Sequence, residues 1–375
     1  MRAAVIGAGI GGLTVAAALD ADGHEVVIYE RRDEPAAVGA GLTLFENAFA
    51  ALDAVGLGDR VRKVSSDAIT RMRAGQRLPS GDWLVSMPPA MVPLTRTLHR
   101  SELHRTLVEA LPSDSLRLHR SAEVGRGGEP AVTVDGRLER FDLVIAADGL
   151  RSDSRTRLGL DRGVRYAGYT AWRGVTAVSM TVDEASETWG AGRIFGIVPL
   201  PDDRVYWFAT ESTSAGRVAE DEREAVRGRF AEWHPPILAC IDATPADAVL
   251  RHDIYDLARL PASFARGRTA LLGDAAHGMT PNLGQGAGQA IEDAAALVLL
   301  LRRAGRDGDV EAALERYSAL RRRRTRAIWS QSRLMGKVSQ ASSPLGVRLR
   351  NGLLRAAPPA AAARAARRMQ RWQQP

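Results

Sequence analysis

Lysine and cysteine are nearly missing from this chain: Lys63 and Lys337 are the only lysines among 51 basic residues, and Cys240 is the only cysteine. A single cysteine excludes an intrachain disulfide and a cysteine-based metal cluster, and it suits a reducing cytoplasm. Long apolar runs are missing too. None reaches the roughly 18 residues at which a membrane span is expected, and Leu297–Leu301 stops at Arg302 and Arg303. The apolar start of the chain has no convincing cleavage site after it, so it does not read as a signal peptide. The formal charge of +7 rests on 49 arginines. Together with heavy alanine and glycine usage, this reads as the coding bias of a GC-rich genome, so no nucleic-acid partner is inferred from it. The densest run, Arg321–Arg324 with Arg326, lies in a helical segment starting near Val310 and reads as a solvated face.

Glycine, by contrast, is placed with purpose. Ala3–Ile6 reads as a buried parallel strand, Gly7, Gly9, Gly11 and Gly12 follow it, and Leu13–Leu19 continues as a helix ending near Gly23. A second strand, Glu25–Tyr29, delivers Glu30, which stands 18 positions after Gly12 with Arg31 beside it. In such a unit Gly7 permits the turn, Gly9 lets backbone approach a pyrophosphate, and Gly12 allows close helix–sheet packing. The helix start offers free N–H groups to phosphates, and Glu30 is placed to bind a ribose. This much says dinucleotide and leaves FAD and NAD both open.

At 375 residues the chain exceeds one typical core. Helical spacing is expected over Asn47–Val55 and Thr97–Leu111, with short strands near Leu116–Leu118 and Ala131–Val134. Buried strands are expected at Leu143–Ala147, which ends at Asp148-Gly149, and at Ala270–Leu272, which ends at Gly273-Asp274. Between about Arg165 and Ala209 the pattern turns to β, with strands expected at Ala177–Met180, Ile194–Val198 and Val205–Ala209. A helix over Asp221–Trp233 closes this stretch, and a long apolar helix runs over Gly286–Arg303. The fold class is therefore α/β: a Rossmann-like dinucleotide-binding domain interrupted by a mostly β domain, with C-terminal helices. The expected boundaries are 1–70, 95–163 and 265–340 for the first domain and 71–94 and 164–264 for the second. Residues 341–375 form an Ala/Pro/Arg-rich helical tail, read as packing or partly mobile rather than functional.

Three strand-tip acids, Glu30, Asp148 and Asp274, can converge on one extended cofactor, because ligands of open parallel sheets bind beyond the carboxyl ends of the strands. NAD alone explains this poorly. The segment from Gly273-Asp274 through His277, Pro281, Gly284, Gly286, Ala287 and Gly288 to Glu292-Asp293 sets an acid beside a proline-glycine loop and a helix start. An isoalloxazine whose N1–C2=O edge faced that helix start would be stabilised when reduced and anionic. His277 reads as a loop hydrogen-bonder, while His99 and His252 have no supporting constellation.

Gly7–Gly12 with Glu30, Arg100 in Leu98–Leu103, Asp148-Gly149 with Ser152 and Arg155, and Gly273-Asp274 with Pro281, Gly284 and Gly286 together resemble class A FAD-dependent aromatic monooxygenases over nearly the whole chain. The resemblance implies that the first motif holds the ADP part of FAD and that Arg100 lies near the FAD phosphates and ribityl chain. The second motif is implicated in FAD and nicotinamide binding, and the third holds the ribityl chain and flavin. Thr43, in Gly39–Thr43, and the backbone of Val124 fall where family members also line FAD. NADH or NADPH would reduce FAD, O2 would add at C4a, and the hydroperoxide would pass its distal oxygen to a small aromatic or polyketide-like substrate. No catalytic triad is expected, because the flavin carries the difficult chemistry.

The stretch Tyr166–Gly174, Arg193 and the strand Arg204–Phe208 resemble the urate- and salicylate-hydroxylase branch. In the urate enzymes an asparagine stands at the position of Arg173, and a substrate-binding arginine aligns near Ile194, with Arg193 only adjacent; Tyr206 matches a pocket tyrosine. Arg173 and Tyr206 are thus the candidate substrate-pocket residues, Arg173 suited to a carboxylate or phenolate. Its alternative is pairing with a local acid, with Tyr206 as sheet packing. A flavin-dependent reductase or halogenase, or a FAD-containing protein without turnover, are the competing functions; a Trp-x-Trp-x-Ile-Pro segment and an obvious halogenase lysine are missing. The protein is expected to be a monomer or homodimer without a membrane span.

Overall fold

The computed structural model describes residues 1–33, 40–92, 94–305 and 308–375. Gly39 and Pro93 lie outside the described residues. Two large sheets organise the chain. The first has six strands in the order Ala265–Arg266, Thr269–Leu271, Leu143–Ala146, Arg2–Ile6, Glu25–Tyr29 and Leu116–Arg117. All its pairings are parallel except that between the first two. Parallel strands buried on both faces read as continuous apolar runs, and Ala3–Val5 and Leu143–Ala146 are wholly buried. Helix Ile10–Ala21 packs against helix Gly286–Ala304, which in turn meets Glu46–Ala54 and the long helix Val310–Ser339.

The second sheet runs Leu250–Leu257, Val164–Val175, Val205–Ser212, Arg193–Pro199, Glu184–Trp189, Arg73–Arg77, Trp83–Met87. It is antiparallel except between Glu184–Trp189 and Arg73–Arg77. Side chains alternate across it. Trp207 and Phe195 stack with ring centroids 5.4 Å apart on the face covered by helices Glu222–Arg229 and Pro236–Asp242. Tyr206 and Phe208, the alternate residues, are turned the other way, towards the first unit.

Three expectations need correction. Thr97–His99 belongs to a strand, Thr95–His99, paired with Gly41–Phe45, and the helix covers only Arg100–Val108. The β-branched Thr95 and Thr97 favour the pairing, and Glu102 suits the first helical turn. Ala177–Met180 forms no strand: Thr176 Oγ1 donates to the Val178 carbonyl at 2.9 Å, turning the chain out of the sheet. The arginine run is not a uniformly solvated face, because Arg321 is buried. No helix among the described residues is long and apolar enough to cross a membrane.

Candidate functional site

Parallel register sets the site. Ile6 lies opposite both Tyr29 and Ala146, and Ala146 opposite Leu271, so these strands end level along one edge. Glu30, Asp148 and Asp274 follow those ends by one to three residues. Three inter-strand spacings of about 4.8 Å separate the strands of Glu30 and Asp274, so a ligand touching both acids extends over about 14 Å.

At the Glu30 end the glycines divide their work. Gly7 has φ +102°, and a Cβ on Gly12 would stand 2.1 Å from the Gly7 oxygen. Both are demanded by the turn and its packing. Gly11 packs against Leu272 and Ala290, whereas a Cβ on Gly9 would meet nothing within 4 Å. Gly9 is exposed and bares its backbone to the groove. Glu30 accepts from the Ala8 N–H at 2.9 Å on Oε2 and from the Arg32 N–H at 3.1 Å on Oε1. This orients the carboxylate and leaves each oxygen further accepting capacity. Arg31 is exposed beside it.

In the middle of the edge, Thr43 lies half-buried opposite Thr97. That ribbon leads into Arg100, whose backbone N–H donates to the Ala40 carbonyl at 2.9 Å. Arg100 is exposed as a residue, and its charge stands near Asp274, Arg173 and Tyr206. Its pKa is lowered, first by desolvation; Asp274 opposes the shift and the like charge of Arg173 adds to it. Val124 is buried opposite Val132 in a separate three-stranded antiparallel sheet. Asp148 Oδ2 accepts from the Ser154 N–H at 3.0 Å, while Oδ1 is buried with no hydrogen-bond partner among the described residues. Arg155 is a buried brace, donating to the carbonyls of Leu150 at 2.9 Å and Ala275 at 3.0 Å and to Asp161 at 2.6 Å. It ties the second motif to the third.

At the far end the Asp274 side chain is exposed, and no hydrogen bond to its carboxylate is formed among the described residues. Pro281 and Gly284 are exposed on the following loop, where Gly284 takes φ +62° beside the Phe45 ring. The long helix then begins at Gly286, where a Cβ would meet nothing within 4 Å, with Ala287 half-buried next to it. Its first N–H groups are free of intrahelical partners.

A charged cluster lies beneath this helix start. Arg321 donates to Asp293 Oδ1 and Glu292 Oε2, both at 2.5 Å, and to Gln289 Oε1 at 2.8 Å. Arg324 reaches Glu292 at 3.0 Å, and Asn47 donates to it at 2.6 Å. His277 is a buried hydrogen-bonder, donating from Nε2 to Asp293 Oδ2 at 2.6 Å. Asp293 also accepts from the Gly273 N–H at 2.9 Å, so the cluster holds the backbone that precedes Asp274. The Glu292 and Asp293 pKa values lie below the ordinary carboxylate range. Desolvation, the largest influence on each, is outweighed by Arg321 and Arg324 at Glu292, and by His277 and Arg321 at Asp293.

The second sheet meets this edge at Tyr206. A Cβ added to Gly41 would stand 2.4 Å from Tyr206 Cβ and Cγ, so the tyrosine packs on the backbone of the Gly41–Phe45 strand. Arg173 Nη1 lies 3.4 Å from the Tyr206 hydroxyl and has no acid partner among the described residues. Arg193 is engaged elsewhere, with Glu211 at 3.0 Å and the Arg229 carbonyl at 3.0 Å. Tyr169 donates to Asn282 Oδ1 at 2.8 Å, clipping the second sheet to the proline-glycine loop. His99 does have a constellation, donating from Nε2 to the Asp202 carboxylate at 3.0 Å. His252, opposite Ala171, has its pKa lowered by desolvation and then by Arg173, Arg251 and Arg100, which keeps it neutral at neutral pH. The Tyr169 clip and the Gly41–Tyr206 contact were beyond sequence reasoning. Glu292-Asp293 inside an alanine-leucine helix was a readable sign of buried charge.

The orphaned Asp148 Oδ1, the bare backbone at Gly9 and the open helix start at Gly286 fit an extended dinucleotide carrying phosphates at one end and a polar ring at the other. The sequence profile of the family described as FAD binding domain matches residues 1–332. The chain is 38% identical over 365 residues to an aurachin C monooxygenase/isomerase of Stigmatella aurantiaca, covering 94% of this chain and 93% of that one. It is 34% identical over 353 residues to a FAD-dependent urate hydroxylase of Klebsiella pneumoniae, covering 89% of each. Among solved structures, Klebsiella pneumoniae HpxO complexed with FAD and uric acid superposes with TM-score 0.88 at 29% identity, over 99% of this chain and 96% of that one. The chain therefore belongs to the class A FAD-dependent monooxygenases, as an oxidoreductase whose cofactor is FAD.

Proposed function

We propose that this monooxygenase uses NADH or NADPH and O2 to hydroxylate or epoxidise a small aromatic or polyketide-like substrate bearing an acidic group. One observation carries the reading: Tyr206 packs on the Gly41 backbone with the acid-free guanidinium of Arg173 3.4 Å from its hydroxyl. FAD held along the strand edge supplies hydride acceptance and oxygen transfer. Glu30 takes the ribose, Gly7–Gly12 and Arg100 the phosphates, Thr43, Val124 and Asp148 the central span, and Asp274 the ribityl chain. Pro281, Gly284, Gly286 and Ala287 offer backbone to the ring.

The seven-stranded unit, residues 71–94 and 164–264, closes the substrate side. Arg173 attracts a carboxylate or phenolate, and no acid among the described residues competes for it. Arg100 and Arg173 make the groove cationic, which favours an electron-rich anionic ring. Relatives named for acting on aminohydroxybenzoate and urate, and one named for making a hydroxyquinolone, support a planar aromatic substrate. Arg173 stands where urate hydroxylases carry asparagine, which favours a carboxylate or phenolate over urate.

The test is steady-state turnover on a panel of hydroxybenzoates, hydroxyquinolones and urate, with product mass recorded. Hydrogen bonds to charged groups contribute about 1.5–3 kcal/mol, so Arg173→Met is expected to raise KM roughly 10- to 100-fold for the preferred anionic substrate. Nicotinamide oxidation with no oxygenated product from any aromatic would overturn the proposal.

A further inference from the structure

We propose that the C-terminal helices form a docking face for anionic lipid membranes. Residues 341–375 hold seven arginines and no acid. Taking those seven from the 51 basic residues leaves 44, which the 44 acidic residues balance, so the whole +7 of the chain resides in this segment. Arg350 is buried, donating to the carbonyls of Gly190 and Ser339 at 3.0 Å each, and it fixes helix Pro344–Ala356 to the rim of the seven-stranded sheet. The other six, Arg348, Arg355, Arg364, Arg367, Arg368 and Arg371, are exposed, and none forms an ion pair among the described residues. Elsewhere in this chain many arginines are paired with acids, among them Arg2, Arg62, Arg155, Arg321 and Arg333.

The same helix carries exposed leucines. Leu345 is 78% exposed, Leu349 62% and Leu353 64%. At about 100° per residue these three span an arc of about 80°, with Arg348 and Arg355 immediately to one side of it. Leu334 and Val338, one turn apart near the end of the preceding helix, are exposed as well. An apolar stripe flanked by unpaired cations is the pattern of a helix lying in a membrane interface.

Charge complementarity selects the occupant. A second copy docked two-fold on this face would set arginines against arginines. Nucleic acid would use the guanidiniums but leave the leucines exposed. An anionic bilayer uses both, taking the leucines into its acyl boundary and the arginines among its phosphates. Because the helix is anchored at Gly190, such docking would hold the seven-stranded sheet near the membrane surface.

The test is co-sedimentation of the full-length, FAD-loaded protein with vesicles at near-physiological salt. Binding is expected to vesicles of phosphatidylcholine with phosphatidylglycerol, and not to phosphatidylcholine alone. Each basic residue at an anionic surface strengthens binding about fivefold, so Arg348→Gln with Arg355→Gln is expected to weaken it about 25-fold. The triple change Leu345→Gln, Leu349→Gln, Leu353→Gln is expected to abolish detectable binding, with flavin absorbance and Tm unchanged in both variants because the residues are exposed. Absence of binding to the anionic vesicles, or binding that either variant leaves unchanged, overturns the proposal. So does a dimer in sedimentation equilibrium that the leucine changes dissolve without any vesicle binding, or retention on duplex DNA that survives the leucine changes while vesicles are ignored.

Discussion

Replacing Arg321 by Met tests whether the buried charge cluster holds the flavin-end helix in place. Arg321 is 3% exposed and bonds two carboxylates that are themselves wholly buried. Without it, Arg324 is the sole remaining arginine partner, and it reaches Glu292 but not Asp293. Removing one member of a buried pair costs about 3–5 kcal/mol, because the uncompensated charge stays behind. Unfolding entropy of about 2.1 cal/mol/K per residue, scaled to 375 residues, is about 0.8 kcal/mol/K. Arg321→Met is therefore expected to lower Tm by about 4–6 °C in differential scanning calorimetry. Arg323→Met, the same chemical change at an exposed position two residues on, is expected to shift Tm by less than about 1 °C. Equal shifts for the two variants would refute the assignment of a buried structural charge at Arg321.

Further outcomes follow from the same geometry. The depressed Glu292 and Asp293 pKa values contribute stability that is fully present above about pH 4.5, the unfolded carboxylate range, and lost as pH falls through the lower folded values. Urea unfolding of parent and Arg321→Met is thus expected to differ most at neutral pH and to converge in acid; a gap that widens in acid would contradict this. Gly12→Ala places a Cβ 2.1 Å from the Gly7 oxygen and should lower Tm even without cofactor, whereas Gly9→Ala meets nothing within 4 Å and should leave that Tm unchanged while weakening FAD binding in a fluorescence titration. Gly41→Ala pushes a methyl into the Tyr206 ring at 2.4 Å, so substrate KM is expected to rise more than FAD binding falls.

The nucleotide unit was legible because its signals are local. Strand, glycine turn, helix and Glu30 lie within thirty residues, and backbone sterics at Gly7 and Gly12 demand glycine whatever the rest of the chain does. Asp148 and Asp274 were legible as strand-tip acids, because a parallel register levels the strand ends. Features set by tertiary contact were not. Thr97–His99 had helical spacing, and only its partner strand Gly41–Phe45 makes it β. Arg321 looked like its three exposed or half-exposed neighbours until Glu292 and Asp293, nearly thirty residues away, were brought under it. Arg173 and Tyr206 were named from resemblance, and their mutual position beside Gly41 depends on how two sheets meet, which no sequence period encodes.

Oxygen transfer with heavy-oxygen-labelled O2 tests the central claim most directly. The FAD-loaded protein, supplied with NADH or NADPH and its preferred aromatic substrate, is expected to yield a product heavier by one labelled oxygen atom, with one nicotinamide oxidised per product. A protein that retains no FAD, or one that reduces it while all label appears as hydrogen peroxide or water, would contradict the account.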